Sequence, residues 1–159
     1  MGERAEALAA KFEQVNQELI DAIEECSDEK WRSACAAEGW SVGVTAHHVA
    51  FDTRLSAEMV RAIASGQSFP PVTAGGADKA NVQHAQEHAD CTKQETLDLL
   101  RREAPIAASF VRGLSDEQLG TTAEVLAGAG APHLSAEHVI QGFLIAHVSE
   151  HLGSIQAVS

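Results

Sequence analysis

The stretch "FLIAHVSEHLGSI", Phe143 to Ile155, decides how the chain is read. Its apolar residues Leu144, Val148, Leu152 and Ile155 recur at three- and four-residue steps, and Val139 and Phe143 belong to the same series. That period is helical, and it defines one apolar arc suited to packing against other helices. His147 and His151 stand one turn apart near the middle of the arc. A buried polar group without a partner costs about 1–3 kcal/mol, so imidazoles are poor material for a dry core. A helix that turns two of them inward must find something for both to bind.

Three further segments carry the same period. Leu8, Phe12, Val15, Leu19 and Ile23 predict a helix from about Arg4 to Glu25. Ser41 is placed to cap a second helix that continues to about Ser65, before Gly66. A third is expected from about Ala77 to Glu103, where Pro105 breaks or kinks it before the pattern resumes to Arg112. "SDEQ" at Ser115 matches a capping box for a short helix, and the last helix is expected to start near Ser135. Pro-Pro and Gly-Gly in "SGQSFPPVTAGGADK" read as loop, as does "LAGAGAPHL". No alternation long enough for a sheet is visible. The expected fold is all-α, a four-helix bundle in one domain spanning residues 1–159. The stretch after Gly66 is long enough to be a crossover that lets helices two and three run parallel.

Composition narrows the function. The chain carries a formal net charge of −12, with few and scattered basic residues, which argues against binding to nucleic acid. No apolar run approaches a membrane span, and "MGERAEALAAKFEQ" is charged where a signal peptide turns apolar, so a cytoplasmic location is expected. Cys26, Cys35 and Cys91 lack metal-knuckle spacing and read as reduced thiols. Of eight histidines, six fall in close pairs: 47/48, 84/88 and 147/151.

Placing residues at helical steps sorts these pairs. Val44, Phe51, Leu55, Met59 and Ile63 form an apolar face that includes His48, whereas His47 falls among Arg54, Glu58 and Arg61. His48 is therefore expected inside and His47 outside. Asp52, one turn after His48, lies on the inward side. On the third helix Val82, Ala85, Ala89, Thr96 and Leu100 form the apolar side, which leaves His84 and His88 on a solvated flank with Glu87, Glu95 and Asp98.

His48, His147 and His151 thus form a candidate metal triad from two helices. Imidazoles at i and i+4 reach one divalent cation at about 2.1 Å each, and a third from a facing helix leaves coordination positions open, as in catalytic sites. The helices must run antiparallel, because His48 lies early in its helix and the other two late in theirs. Asp52 is read as an orienting partner of His48, a catalytic base or a salt-bridge acid. Without a metal, the same residues would form a histidine–aspartate hydrogen-bond network.

"EGWSVGVTAHHVAFD" (38–52) resembles the Trp-Ser-Val…His stretch that opens the second helix of the DinB-like superfamily, metal-binding four-helix bundles related to the mycothiol-dependent maleylpyruvate isomerase N-terminal domain and to bacillithiol transferases. In that pattern the metal-binding histidine falls eight residues after the tryptophan, which from Trp40 is His48. "AHVSEHLGSIQ" (146–156) resembles the last-helix His-x-x-x-His motif at His147 and His151, and "DKANVQHAQEHADCTKQETLDLL" (78–100) is similar to the third helix, with Asn81 near its opening. The resemblance implies an up-down-down-up bundle, a divalent metal such as zinc or nickel, and the frequent dimerisation of the family, here as a homodimer. It also implies a transferase or isomerase that uses a low-molecular-weight thiol as cosubstrate on a small-molecule substrate. Metal-assisted hydrolysis needs the same machinery with water as nucleophile. A non-catalytic metal- or ligand-binding protein, a sensor for example, is the other expectation.

Overall fold

In a computed structural model that describes residues 2–67, 69, 73–125 and 133–159, the chain is mostly helical. In order it forms α1 (Glu3–Glu24), α2 (Asp28–Arg32), α3 (Val42–Ala64), α4 (Ala74–Glu87), α5 (Lys93–Arg112), α6 (Asp116–Gly120), β1 (Thr122–Glu124), β2 (His133–Ser135) and α7 (Ala136–Val139). A π-helical segment (Ile140–Ala146) then leads directly into α8 (His147–Gln156). The last three pieces form one C-terminal rod, and with α1, α3 and α5 it makes a four-helix bundle.

Side-chain pairs give the directions. Arg112, at the end of α5, binds Glu6 and Glu13 near the start of α1, while Arg101 pairs with Glu24 at its end, so these two helices are antiparallel. Arg4 pairs with Glu137, which sets the C-terminal rod parallel to α1. The Arg61 guanidinium lies 4.2 Å from the Phe110 ring, late residue against late residue, so α3 and α5 are parallel. The order is up-down-down-up, with α4 inside the crossover. No helix among the described residues is long and apolar enough to cross a membrane.

The core follows the periodic positions. Phe12, Leu19, Ile23, Ile63, Leu100, Leu144 and Ile155 are fully buried, each burial contributing about 1.5–3 kcal/mol. Ser41 caps α3 by accepting from the Val44 N–H, and the Ser115–Gln118 capping box starts α6. Trp31 locks one end of the bundle. A Cβ on Gly43 would meet the Trp31 indole at 2.6 Å, so α3 approaches the ring as only glycine allows. The Trp31 Nε1–H donates to the Cys91 carbonyl at 3.0 Å, tying the segment between α4 and α5 to the same corner.

The structure corrects several expectations. The expected helix from Ala77 to Glu103 is two helices, because Thr92 and Glu95 form a capping box that starts a new one, with Thr92 Oγ1 3.2 Å from the Glu95 N–H. Pro105 does not break α5. It lies on the exposed side of the helix, where the Arg101 carbonyl that loses its partner is not sealed in the core. Gly75 and Gly76 are helical, carried by the Thr73 cap on the Gly76 N–H at 3.0 Å. A short antiparallel ladder pairs Thr122–Glu124 with His133–Ser135, three residues a side and too short for periodicity to reveal. Most of "LAGAGAPHL" (126–134) lies outside the described residues.

Candidate metal centre

The first three turns of α3 position the site. Every residue from Val42 to Ala50 is buried, so this end of the helix is enclosed on all sides. A helical projection assumes one wet face and fails here. His47, expected outside, is buried, while Phe51 and Leu55, expected in the core, are exposed. His48 is buried as expected.

His48, His147 and His151 come together. One ring nitrogen from each lies within 4.8 Å of the other two, a spacing that closes onto one ion by small side-chain rotations. The π-helical segment just before His147 has one extra residue per hydrogen-bonded turn, so it sets the rotation at which both histidines leave the rod. His48 packs edge-on to Trp40, with ring centroids 5.4 Å apart. Trp40 thus walls the site as well as marking the motif.

Asp52 occupies the same spot. Its Oδ2 is 3.3 Å from His48 Nε2 and 3.7 Å from His147 Nε2. Burial pushes its carboxyl up to about 6, and burial together with neighbouring imidazoles holds His48 down at about 3 and His147 at about 4. At neutral pH both rings are uncharged and keep a lone pair for a ligand bond.

Glu38 was not identified from the sequence. Its Oε1 is 2.7 Å from His151 Nδ1, which fixes that ring with Nδ1–H donating and Nε2 free as an acceptor. Burial would raise the Glu38 carboxyl, but hydrogen bonds from Ser154 and His151 outweigh it and hold it below the usual range. Glu38 lies within the quoted Trp-Ser-Val stretch, so its position was visible. Its contact with a residue 113 positions away was not.

The donor set fits a divalent cation on its own evidence. His147 Nε2 is buried and has no hydrogen-bond partner among the described residues, although the Asp52 carboxylate lies 3.7 Å from it and its ring belongs to the three-histidine group. A cation bound there would satisfy it directly. His48, His147 and His151 would hold the ion, with Asp52 beside its open side and Glu38 behind His151.

His84 and His88 also depart from expectation. His84 is buried and His88 half-buried, and with His47 they form a second group whose ring nitrogens lie within 4.8 Å of one another. They were expected on a solvated flank because the long third helix was read as continuous. The break at residues 88–92 separates α4 from α5 and lets His84 turn onto α3 independently of Thr96 and Leu100.

Among solved structures, YfiT from Bacillus subtilis, described as a probable metal-dependent hydrolase with an unusual four-helix bundle topology, is similar with a TM-score of 0.81. Sequence identity is 17%, over 100% of this chain and 88% of that one, so the likeness is one of fold. No curated protein matches significantly. The DinB superfamily model matches residues 11–155, a span that reaches into all four bundle helices and includes both halves of the histidine site, and the chain belongs to the DinB superfamily.

Proposed function

We propose that this protein is a divalent-metal-dependent enzyme of the thiol transferase or isomerase type, with zinc or nickel held by His48, His147 and His151. The observation that carries the reading is the buried Nε2 of His147, unpartnered among the described residues, on a ring grouped with His48 and His151 and beside Asp52. Three neutral imidazoles leave the ion's charge uncompensated, and when bound it supplies the Lewis acidity that brings a thiol or a water towards ionisation near neutral pH. Asp52, with Oδ2 3.3 Å from His48 Nε2 and 3.7 Å from His147 Nε2, would take that proton. Glu38 holds the His151 ring with its lone pair inward. His48 and His147 stay neutral, so neither repels the cation.

Hydrolysis of a small substrate is the second reading, with water as nucleophile. It is favoured by the Asp52 carboxylate, which lies within 3.7 Å of two donor nitrogens and therefore within reach of a water at the same centre. The description of YfiT as a probable hydrolase points the same way.

The test is turnover by tag-free, metal-loaded protein, screened with low-molecular-weight thiols against electrophiles and, separately, with esters and amides. Thiol-dependent turnover that disappears in His147→Ala supports the first reading, and thiol-independent hydrolysis supports the second. Metal binding with no turnover in either screen would leave a non-catalytic metal-binding protein.

A further inference from the structure

We infer that His47, His84 and His88 form a second divalent-cation site, distinct from the centre made by His48, His147 and His151. The argument starts from α4. Among its described residues, the only buried side chain is His84, 8% exposed, whereas its largest aliphatic residue, Val82, is 54% exposed. A helix of fourteen residues is marginal alone and normally docks through an apolar stripe. This one docks through an imidazole.

The partners of that imidazole are two more. His84 Nε2 lies 3.2 Å from His47 Nδ1. A cation about 2.1 Å from both would see them at an angle of about 100°, within the range of tetrahedral and octahedral coordination. His88 stacks on His47, ring centroids 4.1 Å apart, and closes the group with its nitrogen inside the 4.8 Å set. As the C-cap residue of α4 it rotates without disturbing the helix. A hydrogen bond between His47 and His84 accounts for one nitrogen on each ring and leaves His88 with no role. A shared cation uses all three.

The approach is acidic. A cavity of about 320 Å³ lies against His47 and His88 and is also lined by Glu87, Asp90 and Glu95. Glu95 Oε2 accepts from the Thr92 hydroxyl at 2.6 Å, which holds the carboxylate's charge at the mouth. A donor set of three imidazoles selects first-row transition cations of the zinc, nickel and cobalt class over calcium or magnesium. His48 and His84 have ring centroids 5.6 Å apart, so the two ions would be neighbours and repel, and the second would bind more weakly than the first. The outer ion would staple the crossover helix to the bundle.

The experiment is a cobalt(II) titration of tag-free, metal-stripped full-length protein, read by visible absorption and by elemental analysis after equilibrium dialysis. Hydrogen exchange of residues 75–87 is followed in parallel. About two ions per chain are expected, the second binding more weakly, and amide protection in α4 should rise only with the second. The double variant His84→Ala/His88→Ala should bind about one ion and lose the protection step, and His48→Ala/His147→Ala should also bind about one while keeping it. If the first double variant is poorly folded by circular dichroism, His88→Ala alone, at the end of α4, serves instead. One ion in the wild type, unaffected by His84→Ala/His88→Ala, would overturn the proposal. So would one ion lost in both double variants, which would mean a single shared centre. One ion lost in the His84 variant and kept in the His48 variant would support the outer site and sink the reading of the inner one.

Discussion

His47 and His48 are adjacent in sequence and both buried, yet they face different surroundings. His48 looks towards α8, where His147 and His151 project from a helix packed in the bundle, Glu38 orients one ring and Asp52 fills the space beside them. His47 looks towards α4, which among its described residues buries only His84 and is followed by its C-cap residue His88. The inner group is held by core packing and by a carboxylate behind it. The outer group rests on a crossover helix with little else to secure it. The difference shows that ligand geometry is a product of what stands behind the ligands, so the inner set should bind a cation tightly and the outer set adaptably.

The largest effect expected from breaking this comparison is in His147→Ala. It should abolish cation binding at the inner group and any turnover, while leaving the bundle's circular dichroism unchanged. Isothermal titration and elemental analysis check it, and a fully loaded, active variant would remove the centre from where the geometry puts it. Glu38→Gln is a finer cut. It replaces the charged acceptor behind His151 with a neutral one, and the loss expected is about 10–100-fold in metal affinity with the same stoichiometry. Gly43→Ala attacks the scaffold that both groups share. The new methyl would meet the Trp31 indole at 2.6 Å and should cost about 1–3 kcal/mol, read as a lowered midpoint in urea.

Acid should also separate the two groups in metal-free protein. Burial holds His48 at about 3, His47 and His147 at about 4, and His84 below its ordinary value. The unfolded chain takes up protons at these positions near pH 6.5 and the folded chain does not, so the unfolded state binds more protons and stability falls as pH drops below about 6.5. Asp52 has the opposite sign. Its carboxyl is raised to about 6, so the folded state protonates first and gains stability between about pH 6 and its ordinary value near 3.8. Four histidines outweigh one aspartate in this window. Urea unfolding with chelator at pH 7 and pH 5 should show a lower stability at pH 5. His48→Gln should flatten that slope more than His84→Gln, because the ring it removes is held lowest.

The inner group was legible because its residues are spaced for it. His147 and His151 sit at i and i+4 in an apolar arc, and His48 follows Trp40 at the family spacing, so periodicity and motif converged. The outer group was not, for two physical reasons. Enclosure of Val42–Ala50 on every side removes the polar face on which His47 was placed. The Thr92–Glu95 capping box ends a continuous pattern that no glycine or proline interrupts, and periodicity carries no record of such a break when polar residues dominate both sides. Glu38 was hidden for a third reason, since a contact across the fold leaves no local trace.

Thr92→Ala gives the smallest expected effect and tests the junction alone. The hydroxyl accepts from the Glu95 N–H at 3.2 Å, and the Glu95 carboxylate returns to the Thr92 N–H at 2.9 Å. Losing such a cap costs about 1 kcal/mol. The change falls on the last of the five residues between α4 and α5, outside the inner group, so that group should keep its affinity. Glu95, left with the residue-92 backbone N–H alone, would hold its charge beside His47 and His88 less firmly, and the α4 end would gain freedom. The outer group should therefore weaken severalfold towards cobalt(II) while the inner binding step stays put. Equal weakening of both steps would mean that the two groups share one support, and the contrast between a braced and a loosely held triad would fail.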